Sequence, residues 1–294
     1  MSNVSRHYDG SAPTYHEQYD AETIWRMDVE FPANYFRLEK VARLLQNAGA
    51  TSVYDFGAGE ATPMIELHEK IGIRIAGSDL SPNMVALGKE NLERHDLDPA
   101  LLSLIDIQDK DAVAKERAAR GEFDAVIALG VIPHVTDDHG FVRALSTFCK
   151  PGGTLVLQFR NSMFSMYTFN RLTKEFILDE LMAPVPQQFK DAMADELDGR
   201  LAVNLPPVRR REDGFGYDEV LSRFHNPFEL SDIVREEGFT DLKLHWYNYH
   251  PTPPMISSKF DPREYRQAQI DLESDTSWRG MFMCSAGFIE ATKK

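Results

Sequence analysis

With 294 residues, 43% of them hydrophobic, the chain has the length for one elaborated domain, or a domain with a cap, around a sizeable core. A formal charge of −14 repels polyanions, and nucleic-acid binding leans on phosphate neutralisation by Lys and Arg, so nucleic acid is not expected as a partner. Cys149 and Cys284 stand in apolar segments without ligand-type neighbours, so neither a disulfide framework nor a metal site is expected; no apolar run of ~18 residues and no signal-like start occur, so the expectation is a cytoplasmic protein with no membrane partner.

Residues 1–34 carry Tyr8, Tyr15, Tyr19 and Trp25, too aromatic for a disordered tail, and are expected to fold over the core as a lid. From residue 35 onward, apolar runs of strand length alternate with helical periods, the pattern of βαβ units in a parallel sheet. Strands are expected at 52–56, 74–79, 101–106, 123–129 and 154–159, with helices around 63–71, 82–95 and 138–149. The last helix is stopped by "KPGG" at 150–153.

Residues 161–225 are too long for an ordinary connection and contain helical pieces, so they are expected to form an inserted substrate cap. The core, 35–160 and 226–294, resumes with Asn226 as helix N-cap, Pro227 at the first helical position and Gly238 as the stop. A strand at 241–250, an irregular second insertion to about Trp278 and a strand at 281–291 follow, the two strands forming an antiparallel element that closes the sheet. The expected fold class is therefore α/β, a doubly wound, seven-stranded, mainly parallel sheet.

The turn after the first strand reads "DFGAGEAT" (55–62), two glycines one residue apart. A dinucleotide fingerprint needs G-x-G-x-x-G, but Thr62 occupies the third position, and Asp55 would set a negative charge against a diphosphate. A carboxylate there suits an ammonium group through a charge-assisted hydrogen bond. Asp79 lies 20 residues after Gly59, where an acid accepts from ribose hydroxyls. An amino-acid end, a ribose and no phosphate describe S-adenosylmethionine.

At this point the sequence resembles the class I S-adenosylmethionine-dependent methyltransferase family. The resemblance covers roughly 35–160 and 226–291 and rests on "VYDFGAG", "GSDLSPNMVALGKENL", "LLSLIDIQ", "FDAVIALGVIPHV" and "KPGGTLVLQF" in that order. It departs from the family's acid-x-G-x-G-x-G at Ala61. The resemblance implies that Asp55, Gly57, Ala58 and Gly59 surround the methionine part, with Asp79 on the ribose. It also implies Leu80 and Met84 near the adenine, Asp106 and Ile107 at its exocyclic nitrogen, and Leu129 and Gly130 beneath the sulfonium.

Past the fourth strand, at the edge where open α/β sheets bind ligands, His134 is the candidate general base, the alternative being a histidine that packs in its loop. Arg160 and Asn161 follow the fifth strand and are candidate acceptor contacts, as are His225 and Tyr249. Arg209–Arg211 with Phe215 and Tyr217 suit an anionic substrate, or form a solvated face. The expected function is methyl transfer to a small-molecule acceptor, a hydroxyl of a sugar or specialised metabolite. The alternatives are a small amine or amino sugar as acceptor, an NAD-dependent oxidoreductase, and a non-catalytic S-adenosylmethionine-binding protein.

Overall fold

A computed structural model describes residues 19, 21–28, 31–205 and 222–294. Tyr8 and Tyr15 of the expected lid, and Arg209–Arg211, Phe215 and Tyr217 of the expected cap, lie outside these described residues.

Seven strands form one sheet: β1 (Ser52–Phe56), β2 (Arg74–Asp79), β3 (Leu102–Leu104), β4 (Phe123–Ala128), β5 (Cys149–Arg160), β6 (Phe239–Tyr249) and β7 (Cys284–Lys293). Their order is β3-β2-β1-β4-β5-β7-β6, parallel from β3 to β5, with β7 antiparallel to both its neighbours. Strand order reverses between β1 and β4, which opens a crevice at their carboxyl ends. Asp55 lies beside Gly77 on one side and Ile127 on the other, and Ile127 beside Val156, so the register carries one row across β2, β1, β4 and β5.

The crossover helices are α1 (Ala33–Asn47), α2 (Thr62–Ile71), α3 (Pro82–Arg94), α4 (Lys110–Arg120), α5 (Asp138–Phe148) and, after the insertion, α8 (Pro227–Glu236). Ser81 caps α3 by accepting from Met84 N–H, and Asn226 caps α8 by accepting from Phe228 N–H. α4 is absent from the sequence expectations because its only buried residue is Val113; "KDAVAKERAAR" shows no apolar stripe wide enough to betray a helix. For the same reason the third strand is shorter than expected, since its exposed end gives way to the polar loop before α4.

One face of the sheet buries Tyr54, Phe56 and Phe148 together, ring centroids 4.6–4.9 Å apart, under α5 and α8. The other face packs β1, β2 and β4 against α1, α2 and α3 through Val41, Leu45, Met64 and Leu67. Between Asn161 and Leu205 the chain is helical: a 3-10 turn at Ser162–Tyr167, α6 (Arg171–Glu175), a π turn at Phe176–Leu181 and α7 (Gln187–Arg200). The second insertion is not irregular throughout. It contains α9 (Pro262–Leu272), N-capped by Asp261, and a single turn, α10 (Gly280–Met283), runs into β7. α9 holds the N-terminal strap: Arg266 donates to the Ile24 carbonyl at 2.8 Å and Arg263 lies over the Trp25 ring.

Because Phe148 is fully buried against Tyr54 and Phe56, its replacement by alanine removes packing from β1 and leaves a void. Phe148→Ala is expected to lose about 3–5 kcal/mol in chemical denaturation; a loss under about 1 kcal/mol would show that the face does not depend on this cluster.

Candidate active site

β1 delivers Asp55 and then turns sharply at the carboxyl edge. Gly57 has φ +80°, and a Cβ on it would meet Val131 Cγ2 at 2.2 Å, so both backbone and space demand glycine there. The amides of this turn are already committed: Gly57 and Ala58 N–H donate to the Ser78 carbonyl at 2.8 and 3.0 Å, and Gly59 N–H to Asp79 Oδ2 at 2.9 Å. Asp79 Oδ1 accepts from Ser81 N–H at 2.8 Å. A turn whose N–H groups are bound to β2 is no nest for a diphosphate. It shapes the pocket wall and leaves the side chains to do the binding.

Asp55 is 1% exposed, and its Oδ1 has no hydrogen-bond partner among the described residues. Burial pushes its carboxyl well above the ordinary range; Arg37 draws it down and Asp79 pushes it further up. β2 can lie this close to the Asp55 backbone because its neighbour there is Gly77, where a Cβ would come within 2.7 Å of the Asp55 main-chain carbonyl.

Arg37 is the principal residue the sequence reading missed. α1 turns Arg37, Leu38, Val41, Ala42 and Leu45 inward as one stripe, so a guanidinium stands where the pattern asks for an apolar side chain. It is buried, and Nη2 donates to the Tyr19 hydroxyl at 2.6 Å. Arg37 also acts on the buried Tyr247 phenol, which burial pushes up to about 12 against the pull of that guanidinium. A second missed residue is Gln158, a buried polar side chain between Leu157 and Phe159, whose β5 position puts it on the same face. The signal available in both cases was a polar residue occupying a core position.

Gly130, with φ +84°, follows β4, and a Cβ there would lie 3.5 Å from Arg37 Nη1 and 3.7 Å from Gln158 Oε1. Leu129 is buried beside it. His134 is partly exposed in the 3-10 turn Ile132–His134, and the chain returning from the cap lies against that turn, Arg223 N–H donating to the Pro133 carbonyl at 2.8 Å. Arg160 ends β5, partly exposed, and donates to Ser222 Oγ.

At the other end of the edge, Leu80 is 37% exposed while Met84 is buried. Asp106 is exposed and accepts from Gln108 N–H, and Ile107 packs against the first core cluster. The edge thus brings together Asp55, the Gly57–Gly59 turn, Asp79, Leu129, Gly130, His134 and Arg160. It does not bring Asn161, whose amide donates to the carbonyls of Met281 and Cys284 and ties β5 to β7. Nor does it bring Tyr249, fully buried with its hydroxyl donating to the Asp275 carbonyl at 2.8 Å. His225 is buried beside Asp138, ring nitrogen to carboxylate 3.6 Å. Burial works to raise the Asp138 carboxyl, but His225 and Arg223 hold it down at about 2.

Three features fit S-adenosylmethionine: an orphaned buried carboxylate oxygen, a guanidinium near it, and a glycine over which a side chain would intrude. An amino-acid end carries an ammonium for the first and a carboxylate for the second.

Residues 54–157 match the family described as "Methyltransferase domain". A ubiquinone biosynthesis O-methyltransferase of Xanthomonas axonopodis pv. citri (strain 306) is 30% identical over 158 residues, 54% of this chain and 62% of that protein. Its counterpart in Rhodopseudomonas palustris (strain BisB18) is 27% identical over 188 residues, 64% of this chain and 70% of that one. The chain therefore spans less than two thirds of the first relative. Among solved structures, the methyltransferase domain of bacterial CtHen1-CN superposes with TM-score 0.50 at 14% identity, covering 88% of this chain and 99% of that one, a likeness of fold.

A carboxyl raised by burial makes the folded protein less stable when ionised. An unfolded Asp ionises at about 3.9, so stability is lost as pH rises from there through the raised folded value. Asp55→Asn is therefore expected to raise the melting temperature of the ligand-free protein at pH 8 relative to wild type, with the gain shrinking towards pH 4. A variant less stable than wild type at pH 8 would contradict the burial argument.

Proposed function

The chain belongs to the class I S-adenosylmethionine-dependent methyltransferase family, and from that premise we propose that it transfers the methyl group of S-adenosyl-L-methionine to a hydroxyl of a small molecule. The observation that carries this reading is the buried Asp55 carboxylate facing Arg37 at the mouth of the first crossover. The printed names of the two bacterial relatives, both O-methyltransferases, support an oxygen acceptor. A sugar or specialised-metabolite hydroxyl is the acceptor that an inserted helical segment after β5 suits, and the partly exposed Arg160 at the end of β5 suits an acceptor with an anionic group.

The cofactor supplies a sulfonium methyl and a thioether leaving group; the protein's part is to hold the acceptor in line and dry. Orientation can contribute ~7–11 kcal/mol to such a step, against ~3–5 kcal/mol for a general base, so positioning dominates. Asp55 and Arg37 fix the amino-acid end, Asp79 the ribose, and the Gly57–Gly59 turn the approach. His134, just past β4 and partly exposed, receives the proton of the acceptor hydroxyl. The return segment is held against the His134 turn by Arg223 N–H on the Pro133 carbonyl, which limits solvent on that side.

Radiolabelled methyl from S-adenosylmethionine is expected to appear in a small-metabolite fraction of cell extract; label confined to RNA would overturn the acceptor class. His134→Ala is expected to keep S-adenosylhomocysteine affinity within about twofold while turnover falls about tenfold or more, the scale of general-base loss. Unchanged turnover would assign His134 to the packing of its turn.

A further inference from the structure

Gln158 is 4% exposed, and its amide is oriented by one bond: Nε2 donates to the Phe159 carbonyl at 3.1 Å. Turning the amide over would set oxygen against oxygen, so Oε1 is the end that faces the site. That oxygen has no hydrogen-bond partner among the described residues. A buried acceptor left without a donor is destabilising, so such an atom at a ligand edge signals a donor brought by the ligand.

Its surroundings say which donor. A Cβ on Gly130 would stand 3.5 Å from Arg37 Nη1 and 3.7 Å from Gln158 Oε1, so both a donor and an acceptor border the space above this glycine. One wall of this space donates and the other accepts. Asp55, two strands away on the same face, offers a single unpartnered oxygen, whereas an ammonium has three N–H donors. In a site that excludes water, the remaining donors need protein acceptors, and an acceptor between ammonium and guanidinium also separates two positive charges.

We infer that Gln158 is a cofactor-binding residue whose Oε1 accepts a hydrogen bond from the α-ammonium group of the cofactor, sharing it with Asp55 while Arg37 takes the carboxylate. The inference rests on the reading of the site as one for S-adenosylmethionine. It makes Gly130 a requirement of space as well as of backbone, because any side chain there would enter the gap between the two walls.

The test is calorimetry on the full chain with two probes, S-adenosylhomocysteine and 5′-methylthioadenosine, which lacks the amino-acid end. Gln158→Met preserves length and removes the acceptor. It is expected to weaken S-adenosylhomocysteine about tenfold or more, the scale of one hydrogen bond to a charged group, and to leave methylthioadenosine within about twofold. Gln158→Glu, protonated at the oxygen that replaces Nε2, can still donate to the Phe159 carbonyl and keeps one acceptor on the site; it is expected to hold S-adenosylhomocysteine within about threefold of wild type, and it carries the test if Gln158→Met does not fold, a loss of about tenfold or more then overturning the inference. Equal S-adenosylhomocysteine affinity for wild type and Gln158→Met overturns the inference, as does a rise in acceptor KM with cofactor affinity unchanged, which would assign the oxygen to the acceptor hydroxyl. Failure of the wild-type chain to bind S-adenosylhomocysteine at all would instead sink the functional reading beneath it.

Discussion

A carboxylate and a guanidinium buried within one crevice are the constraint on which the rest of this molecule turns. Burying Asp55 is unfavourable by itself, which is why its carboxyl is pushed up, and nearby Arg37 only partly compensates. The fold tolerates this because the sheet beneath is apolar on both faces and closely packed. A site of this kind is less stable empty than filled, and a ligand that binds only the native state recovers the difference by mass action.

The surrounding architecture can be read as what that constraint requires. Gly57 bends the chain against Val131, and Gly77 opens the space beside the Asp55 carbonyl. β2 takes up the turn's N–H groups through Ser78 and Asp79, so the turn is rigid and its amides offer little to a phosphate. On the far side, Tyr19 of the strap grips Arg37, and α9 grips the strap through Arg266. Lys40, one turn after Arg37 on α1, donates to the Trp246 and Glu273 carbonyls and pairs with the Glu273 carboxylate, fixing α1 to β6 and the end of α9. Two segments that lie outside the βα core, the strap and the second insertion, therefore meet where they steady the guanidinium.

Much of this was legible in the sequence. The alternation of strand and helix periods gave the sheet, and the aspartate two residues before the first glycine pointed away from phosphate; both follow from local chemistry. What was not legible was tertiary. Arg37 sits on the inward stripe of α1 and Gln158 inside the apolar run of β5, where only the assembled sheet shows that a polar atom faces a ligand edge. Conversely, Asn161 and Tyr249 stand at strand ends in sequence, yet their polar atoms bond to the carbonyls of Met281, Cys284 and Asp275, from segments more than twenty residues away. Helix α4 escaped because its buried contribution is one valine.

The central claim is that affinity for the cofactor resides largely in its amino-acid end. Comparing S-adenosylhomocysteine with 5′-methylthioadenosine by calorimetry on the wild-type protein and on Arg37→Met measures this directly. The account predicts that wild type binds S-adenosylhomocysteine on the order of 100-fold more tightly, about 2.7 kcal/mol, and that Arg37→Met removes most of that preference. Equal binding of the two ligands by wild type, or a preference that survives intact in Arg37→Met, would contradict it.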